Sequence, residues 1–200
     1  RFDVYERFQS ARHWEELPLP HTERRHVGVM GLGEIGADCA LKLAALGFQV
    51  SGWSRSARGL RGIRCFSGES GLATFMATAE ILVVVLPLTS GTAGVVNAKT
   101  IARMPRGAYV VNIARGALVV EQDLLAALDS GQLAGAMLDV TQTEPLPANH
   151  PLWAHPNVRI TPHIAGLTNP YTSIEPIADN IRRLRSGAPL QHMVDRRRGY

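Results

Sequence analysis

Hydrophobic positions along the chain switch repeatedly between a helical and an extended period. Val4, Phe8, Ala11 and Trp14 recur at spacings of three and four, which predicts an amphipathic helix over residues 4–17. Leu17-Pro18-Leu19-Pro20 and the charged run to Arg25 close it. A short apolar run, His26 to Met30, reads as a strand. Directly behind it Ile35, Cys39, Leu43 and Leu46 return at helical spacing and stop at Gly47. Phe48 to Trp53 predicts a second strand, Ile63 to Phe66 a short third, and Gly71 to Ala79 a helical crossover. Ile81 to Leu86 is continuously apolar and rich in β-branched residues, as expected of a strand buried on both faces. Tyr109 to Ile113, Ala136 to Val140 and Val158 to Thr161 predict further strands, with a helix from Glu121 to Ser130 ended by Gly131. A last helix, Ser173 to Arg185, sets Ile174, Ile177, Ile181 and Leu184 on one face and places Pro176 in its first turn. Strands alternating with helices predict an α/β fold with a doubly wound parallel sheet and right-handed crossovers.

The junction between the first strand and its helix carries Gly31, Gly33 and Gly36 at the spacing G-x-G-x-x-G. Gly31 lets the chain reverse, Gly33 leaves no side chain between backbone and ligand, and Gly36 lets the helix lie close against the strand. The first helical turn offers unpaired N–H groups and the positive end of the helix dipole, which suits a pyrophosphate. Alone, such glycines mark only a turn; between a strand and a helix they predict a Rossmann-type dinucleotide site. In NAD-preferring members of this fold an acid ends the second strand and binds the ribose hydroxyls. That position falls at or next to Ser54, and no Asp or Glu occurs between Asp38 and Glu69. The segment reads Trp53-Ser54-Arg55-Ser56-Ala57-Arg58 instead. Two guanidinium groups and two hydroxyls predict NADP ahead of NAD, with Arg55 the main contact to a 2′-phosphate, Ser54 or Ser56 an added donor and Arg58 a helper. The plain alternative is a solvated basic loop.

Composition narrows the remaining classes. Two hundred residues, 46% of them hydrophobic, suffice for a sizeable core. The longest apolar run ends at Pro87, too short to span a bilayer, and no leader peptide opens the chain; a cytoplasmic protein without a membrane partner is expected. The net charge of +4 invites a nucleic-acid reading. Yet the basic residues are scattered apart from Arg24-Arg25, Arg182-Arg183 and Arg196-Arg197-Arg198, with no interleaved aromatics to stack bases, so no nucleic-acid partner is expected. Cys39 and Cys65 lack Cys-x-x-Cys spacing and read as buried thiols, and no histidines or carboxylates recur at metal-binding spacing, so no metal is expected. The first residue is Arg1 rather than Met, so a piece or a processed product is expected.

From Val27 onward the chain resembles the nucleotide-binding domain of the D-isomer-specific 2-hydroxyacid dehydrogenases, and within them the bacterial glyoxylate/hydroxypyruvate reductase A group. The likeness rests on Gly31-Leu32-Gly33-Glu34-Ile35-Gly36, Trp53-Ser54-Arg55-Ser56, Leu86-Pro87-Leu88-Thr89, the run Gly107 to Gly116, Gly135 to Val140, Glu144-Pro145, Thr161-Pro162-His163-Ile164-Ala165 and the tail Val194 to Tyr200. It implies a catalytic set of Arg115, Glu144 and His163, with Asp139 near the nicotinamide carboxamide. Cofactor contacts are implied from the glycine turn (Gly31 to Gly36, with Leu32, Glu34 and Ile35), Trp53 to Ser56, Arg58, Leu86, Pro87, Thr89, Ile113, Ala114, Arg115, Asp139, His163 and Ala165. Thr141 departs from the aromatic that commonly follows Asp-Val in the family. The resemblance also implies about a hundred residues upstream forming a flavodoxin-like substrate domain, a homodimer through the nucleotide domain, and three parts: residues 1–22 a remnant of that substrate domain, 23–170 the nucleotide domain, 171–200 the terminal helix and tail. This stretch alone is expected to bind cofactor and turn over little substrate.

The reduction of a 2-oxo acid needs these residue types. Arg115 offers the planar bidentate clamp for a substrate carboxylate, a charged His163 can protonate the developing alkoxide, and Glu144 favours the imidazolium and orients the ring. Taken singly, Arg115 reads as a surface arginine, Glu144 as a turn residue, His163 as a loop histidine and Asp139 as a cap. His21, His26, His150, His155 and His192 have no support beyond such readings. One rival is a non-catalytic NAD(P)-binding regulator of the same fold, against which the intact Arg115, Glu144 and His163 weigh. Another is a β-hydroxyacid dehydrogenase, but that type relies on a catalytic lysine, and Lys42 and Lys99 are poorly placed for one.

Overall fold

The computed structural model describes residues 2–18 and 21–195; Arg1, Leu19 and Pro20 of the first linker, and the basic tail from Arg196 lie outside the described residues. Seven strands form one sheet: β1 (His26–Met30), β2 (Gln49–Ser54), β3 (Arg64–Ser67), β4 (Ile81–Val84), β5 (Ala108–Asn112), β6 (Leu133–Leu138) and β7 (Val158–Ile160). Their order is β3-β2-β1-β4-β5-β6-β7, and every pairing is parallel. The helices are α1 (Phe2–Ser10), α2 (Glu34–Ala45), α3 (Gly68–Thr78), the short α4 (Ala98–Ile101), α5 (Glu121–Asp129) and α6 (Pro170–Ser186). The predicted Rossmann-type α/β sheet is therefore present. Strand order reverses between β1 and β4, which opens a crevice at their carboxyl ends, where open parallel sheets bind ligands.

Alternation along the strands feeds two cores. Leu82 and Val84 of β4 pack with Phe75 and Met76 of α3, whereas Val83 joins Val27, Val29 and Ala40 beneath α2. The approach of α2 is closer than its apolar periodicity implied. Its buried residues are Gly36 and Ala40, while Ile35 and Leu46, expected on the inner face, are 70% and 68% exposed. Small residues let the helix axis come down onto the sheet, and this rotates the larger ones outward.

Two helix boundaries correct the sequence reading. The first helix ends at Ser10, not near residue 17, and Trp14 beyond it is 99% exposed. Bonds from Arg7 to Asn157 (3.0 Å) and from Arg159 to Glu6 (2.8 Å) tie α1 to the segment around β7. The last helix begins at Pro170, because Asn169 accepts the Tyr171 N–H at 3.0 Å and Pro170 occupies the opening turn. Pro176 consequently lies inside α6 rather than in its first turn. Helix α6 has no buried residue, and Ile174, Ile177, Ile181 and Leu184 all stand exposed.

Candidate active site

The predicted functional residues gather along the carboxyl edge of the sheet. The turn after β1 is shaped by close backbone contacts: Gly31 has a φ of 114°, and a Cβ on Gly36 would meet the Gly31 carbonyl oxygen at 1.7 Å. Around Gly33 there is nothing within 4 Å of where a Cβ would stand, so protein packing does not explain this glycine. Gly33 is also the N-cap of α2 with no side-chain cap, leaving the first helical N–H groups available. A cleft of about 310 Å³, lined by Leu32, Gly33, Glu34, Ala37, Arg58, Gly59 and Leu60, opens here. An open backbone approach beside an uncapped helix start fits a dinucleotide pyrophosphate.

The second strand ends at Ser54, where the acid of NAD-preferring folds would stand. Ser54 is buried and donates its hydroxyl to the Ser56 carbonyl at 2.7 Å, and Trp53 is buried with its indole N–H on the Gly68 carbonyl at 2.9 Å. Both therefore shape the loop, while Arg55, Ser56 and Arg58 are exposed on it. Arg58 donates to the Leu32 carbonyl at 3.1 Å and so links this loop to the glycine turn. Leu86 is buried and Pro87 half-buried beyond β4. Thr92, fully buried, donates to the Pro87 carbonyl at 2.7 Å and accepts the Thr89 N–H at 2.8 Å, fixing that loop. The sequence reading passed over Thr92, although a hydroxyl three residues after Thr89 is a turn signal.

Arg115 follows β5. Buried Asn112 donates to the Arg115 carbonyl at 3.0 Å and accepts the Ala114 N–H at 3.1 Å, so one amide side chain sets the course of Ile113, Ala114 and Arg115. The Arg115 guanidinium is exposed, with one terminal nitrogen on the Ala114 carbonyl at 2.6 Å. Next to it a Cβ on Gly116 would lie 2.0 Å from the Thr141 backbone, which brings the loops after β5 and β6 into direct contact.

A cluster of bonded, charged groups lies after β6 and β7. His163 Nδ1 and Glu144 Oε2 are 2.7 Å apart, and the Thr141 N–H donates to Glu144 Oε1 at 3.0 Å. The His163 bond, the Thr141 bond and the nearby His163 and Arg115 charges hold the Glu144 carboxyl below its ordinary range against the opposing effect of burial. Asp139 is only 3% exposed. Burial alone would push its carboxyl up, but the Thr161 hydroxyl and the Ala165 and Ile164 amides, with the His163 charge, outweigh that and hold it low. His163 has a φ of 56°, a left-handed backbone that costs about 1–2 kcal/mol outside glycine. Its N–H reaches the Asp139 carbonyl at 2.8 Å. Beside the pair, a cleft of about 600 Å³ is walled by Thr141, Leu146, Trp153, Ile160 and Thr161. His150, read as incidental, pairs with Glu121 at 3.4 Å, and Glu121 also accepts the Gln142 N–H at 2.8 Å, which props the loop carrying Glu144. Among the described residues no group of three or more His, Cys, Asp or Glu is placed to hold a metal ion, and no helix is long and apolar enough to cross a membrane.

The family model of the D-isomer specific 2-hydroxyacid dehydrogenase NAD binding domain matches residues 1–165. The chain belongs to that family. Over all 200 residues it is 46% identical to the glyoxylate/hydroxypyruvate reductase A of Klebsiella pneumoniae subsp. pneumoniae, of which it spans 64%. Its fold matches a D-isomer specific 2-hydroxyacid dehydrogenase from Xanthobacter autotrophicus Py2, solved with NADPH and MES, at a TM-score of 0.97 and 47% identity, covering 100% of this chain and 82% of that one. It matches the NADPH-dependent glyoxylate/hydroxypyruvate reductase of Sinorhizobium meliloti, solved with NADP and sulfate, at 0.95 and 40% identity, covering 100% of this chain and 64% of that one. In this 2-hydroxyacid dehydrogenase domain Thr141, the departure from the common aromatic, is buried; its N–H serves Glu144 and its hydroxyl donates to the Thr143 carbonyl at 2.9 Å.

Proposed function

We propose that the protein carrying this chain reduces a small 2-oxo acid, glyoxylate or hydroxypyruvate, to the 2-hydroxy acid at the expense of NADPH. The observation that carries the reading is the 2.7 Å contact between His163 and Glu144, on the same sheet edge as Arg115 and the glycine turn. The glycine turn and the start of α2 would hold the pyrophosphate. Arg55, with Ser56 and Arg58, would face the 2′-phosphate, and Ile113, Ala114, Asp139 and Ala165 would lie along the nicotinamide half. When bound, NADPH supplies the hydride to the ketone carbon. Arg115 clamps the substrate carboxylate and so orients the ketone. His163 gives a proton from Nε2 to the developing alkoxide, while Glu144 accepts the Nδ1–H and balances the imidazolium until the proton has left. In the opposite direction neutral His163 takes the hydroxyl proton.

The chain spans less than two thirds of its curated relatives, so the remaining wall of the cleft belongs to a substrate-binding part outside it. The exposed apolar face of α6 supports packing of that helix against such a part. A homodimer through the nucleotide domain, in a cytoplasmic setting, completes the proposal. The test is NADPH and NADH oxidation by the full-length protein with glyoxylate and with hydroxypyruvate, alongside light scattering. Turnover favouring NADPH is expected; binding of NADPH without turnover of either acid overturns the reductase reading.

A further inference from the structure

Asp139 sits at the end of β6, almost wholly buried, yet its carboxylate is the meeting point of a loop 22 to 26 residues further along the chain. Thr161 donates its hydroxyl to Oδ1 at 2.5 Å, Ile164 donates its N–H to the same oxygen at 2.9 Å, and Ala165 donates its N–H to Oδ2 at 2.9 Å. The Asp139 carbonyl takes the His163 N–H at 2.8 Å, and the Thr161 N–H is itself pinned to the Leu138 carbonyl at 3.0 Å. The chain from 161 to 165 is thus wrapped around one buried anion, with the left-handed His163 at the middle of the wrap. Of these bonds only one comes from a side chain of the wrapping loop. A carboxylate oxygen offers two acceptor sites, so Thr161 and Ile164 together complete Oδ1 and leave a single site open, on Oδ2.

We propose that Thr161 is a positioning residue for His163: its hydroxyl, through Asp139, fixes the loop whose left-handed turn holds the imidazole against Glu144. The inference rests on His163 being the acid–base group, but its geometry is independent of turnover. Without the hydroxyl, Oδ1 of a buried carboxylate keeps one donor: the loop loses its side-chain tie to Asp139, and the anion itself is less favoured against its protonated form. At neutral pH Asp139 stays ionised, and the chain from 161 to 165 is then held to its carboxylate by two backbone amides alone, so the wrap loosens where His163 turns. The charged groups in reach are His163, whose field acts on Asp139 directly, Glu144 facing His163, and Arg115, whose charge acts on Glu144.

The experiment is carbon and nitrogen NMR on the isotope-labelled chain, so it reads the positioning whether or not the protein reduces a 2-oxo acid. It follows the Asp139 carboxyl resonance with pH and the His163 Nδ1–H resonance at neutral pH. In the native chain the Asp139 midpoint is expected below the ordinary value of about 3.9. Thr161→Val, matched in shape, is expected to raise it by about one pH unit and to speed exchange of the His163 Nδ1–H at least tenfold, while Thr161→Ser restores both. Unchanged midpoint and exchange in Thr161→Val, or a serine variant that behaves like the valine one, overturns the proposal. Should the valine variant not fold, the native chain decides: a midpoint at or above the ordinary aspartate value overturns it, and a lower one together with native behaviour of Thr161→Ser supports it.

Discussion

At the β1 end of the candidate site the working surface is made by leaving atoms out; at the β6–β7 end it is made by tying side chains together. Gly31 and Gly36 pass within contact of backbone, and Gly33 faces open space at an uncapped helix start. Across the sheet, Asp139 alone takes three hydrogen bonds through its carboxylate, and Glu144 is held from both oxygens by His163 and Thr141. A pyrophosphate carries its own charge and needs only donors and room. Proton transfer needs an imidazole held at one place and in one tautomer, and only bonded side chains supply that. The difference teaches which substitutions act through space and which act through bonds.

The largest effect is expected where a bonded group reacts. In the full-length protein His163→Ala should lower turnover by at least ~10²-fold with little change in NADPH affinity, read by steady-state kinetics and nucleotide titration. Turnover near the native rate in that variant would remove His163 from the mechanism.

The two glycines of the turn should part company next. Gly36→Ala forces a Cβ against the Gly31 carbonyl oxygen and should destabilise the domain by about 3 kcal/mol, measured by urea unfolding. Gly33→Ala meets no protein atom and should leave stability within about 0.5 kcal/mol while weakening NADPH. Equal stability losses would show that Gly33 is a packing residue after all.

A smaller effect belongs to the exposed loop after β2. Arg55→Ala should weaken NADPH by about 1.5–3 kcal/mol, the range for hydrogen bonds to charged groups, and leave NADH nearly unchanged. Equal weakening of both nucleotides counts against a 2′-phosphate contact.

The smallest effect is one of pH. Glu144 is held below its ordinary range, so its contribution to stability is complete above the unfolded value of about 4.3 and is lost as pH falls through the lower folded value. The stability difference between the native chain and Glu144→Gln should therefore shrink as pH falls from about 5 to below about 4. A difference that grows as pH falls below about 5 would mean the glutamate is not favoured in its charged form.

The strand ends and the glycine turn were legible because local rules suffice there: apolar runs mark buried strands, and three glycines between a strand and a helix have few other uses. Arg115, Glu144 and His163 were singled out by the family resemblance, and the fold brings Glu144 and His163 into contact. Less could be read of the residues that hold them. Glu121 and Thr161 act through bonds whose far partners are defined only after the sheet forms, as with Asp139 and Ala165 at a separation of 26. Helix limits failed for another reason. Trp14 and Pro176 were placed by periodicity, whereas Asn169 and Pro170 decided where α6 begins.

Gly116 carries one last consequence. With no space for even a methyl group between it and Thr141, the loop presenting the guanidinium already stands as near as it can to the loop presenting the carboxylate. Thr141 in turn gives its N–H to Glu144, which meets His163 at 2.7 Å. Any side chain at position 116 would have to push these two loops apart, and the spacing between the guanidinium and the carboxylate would widen with them.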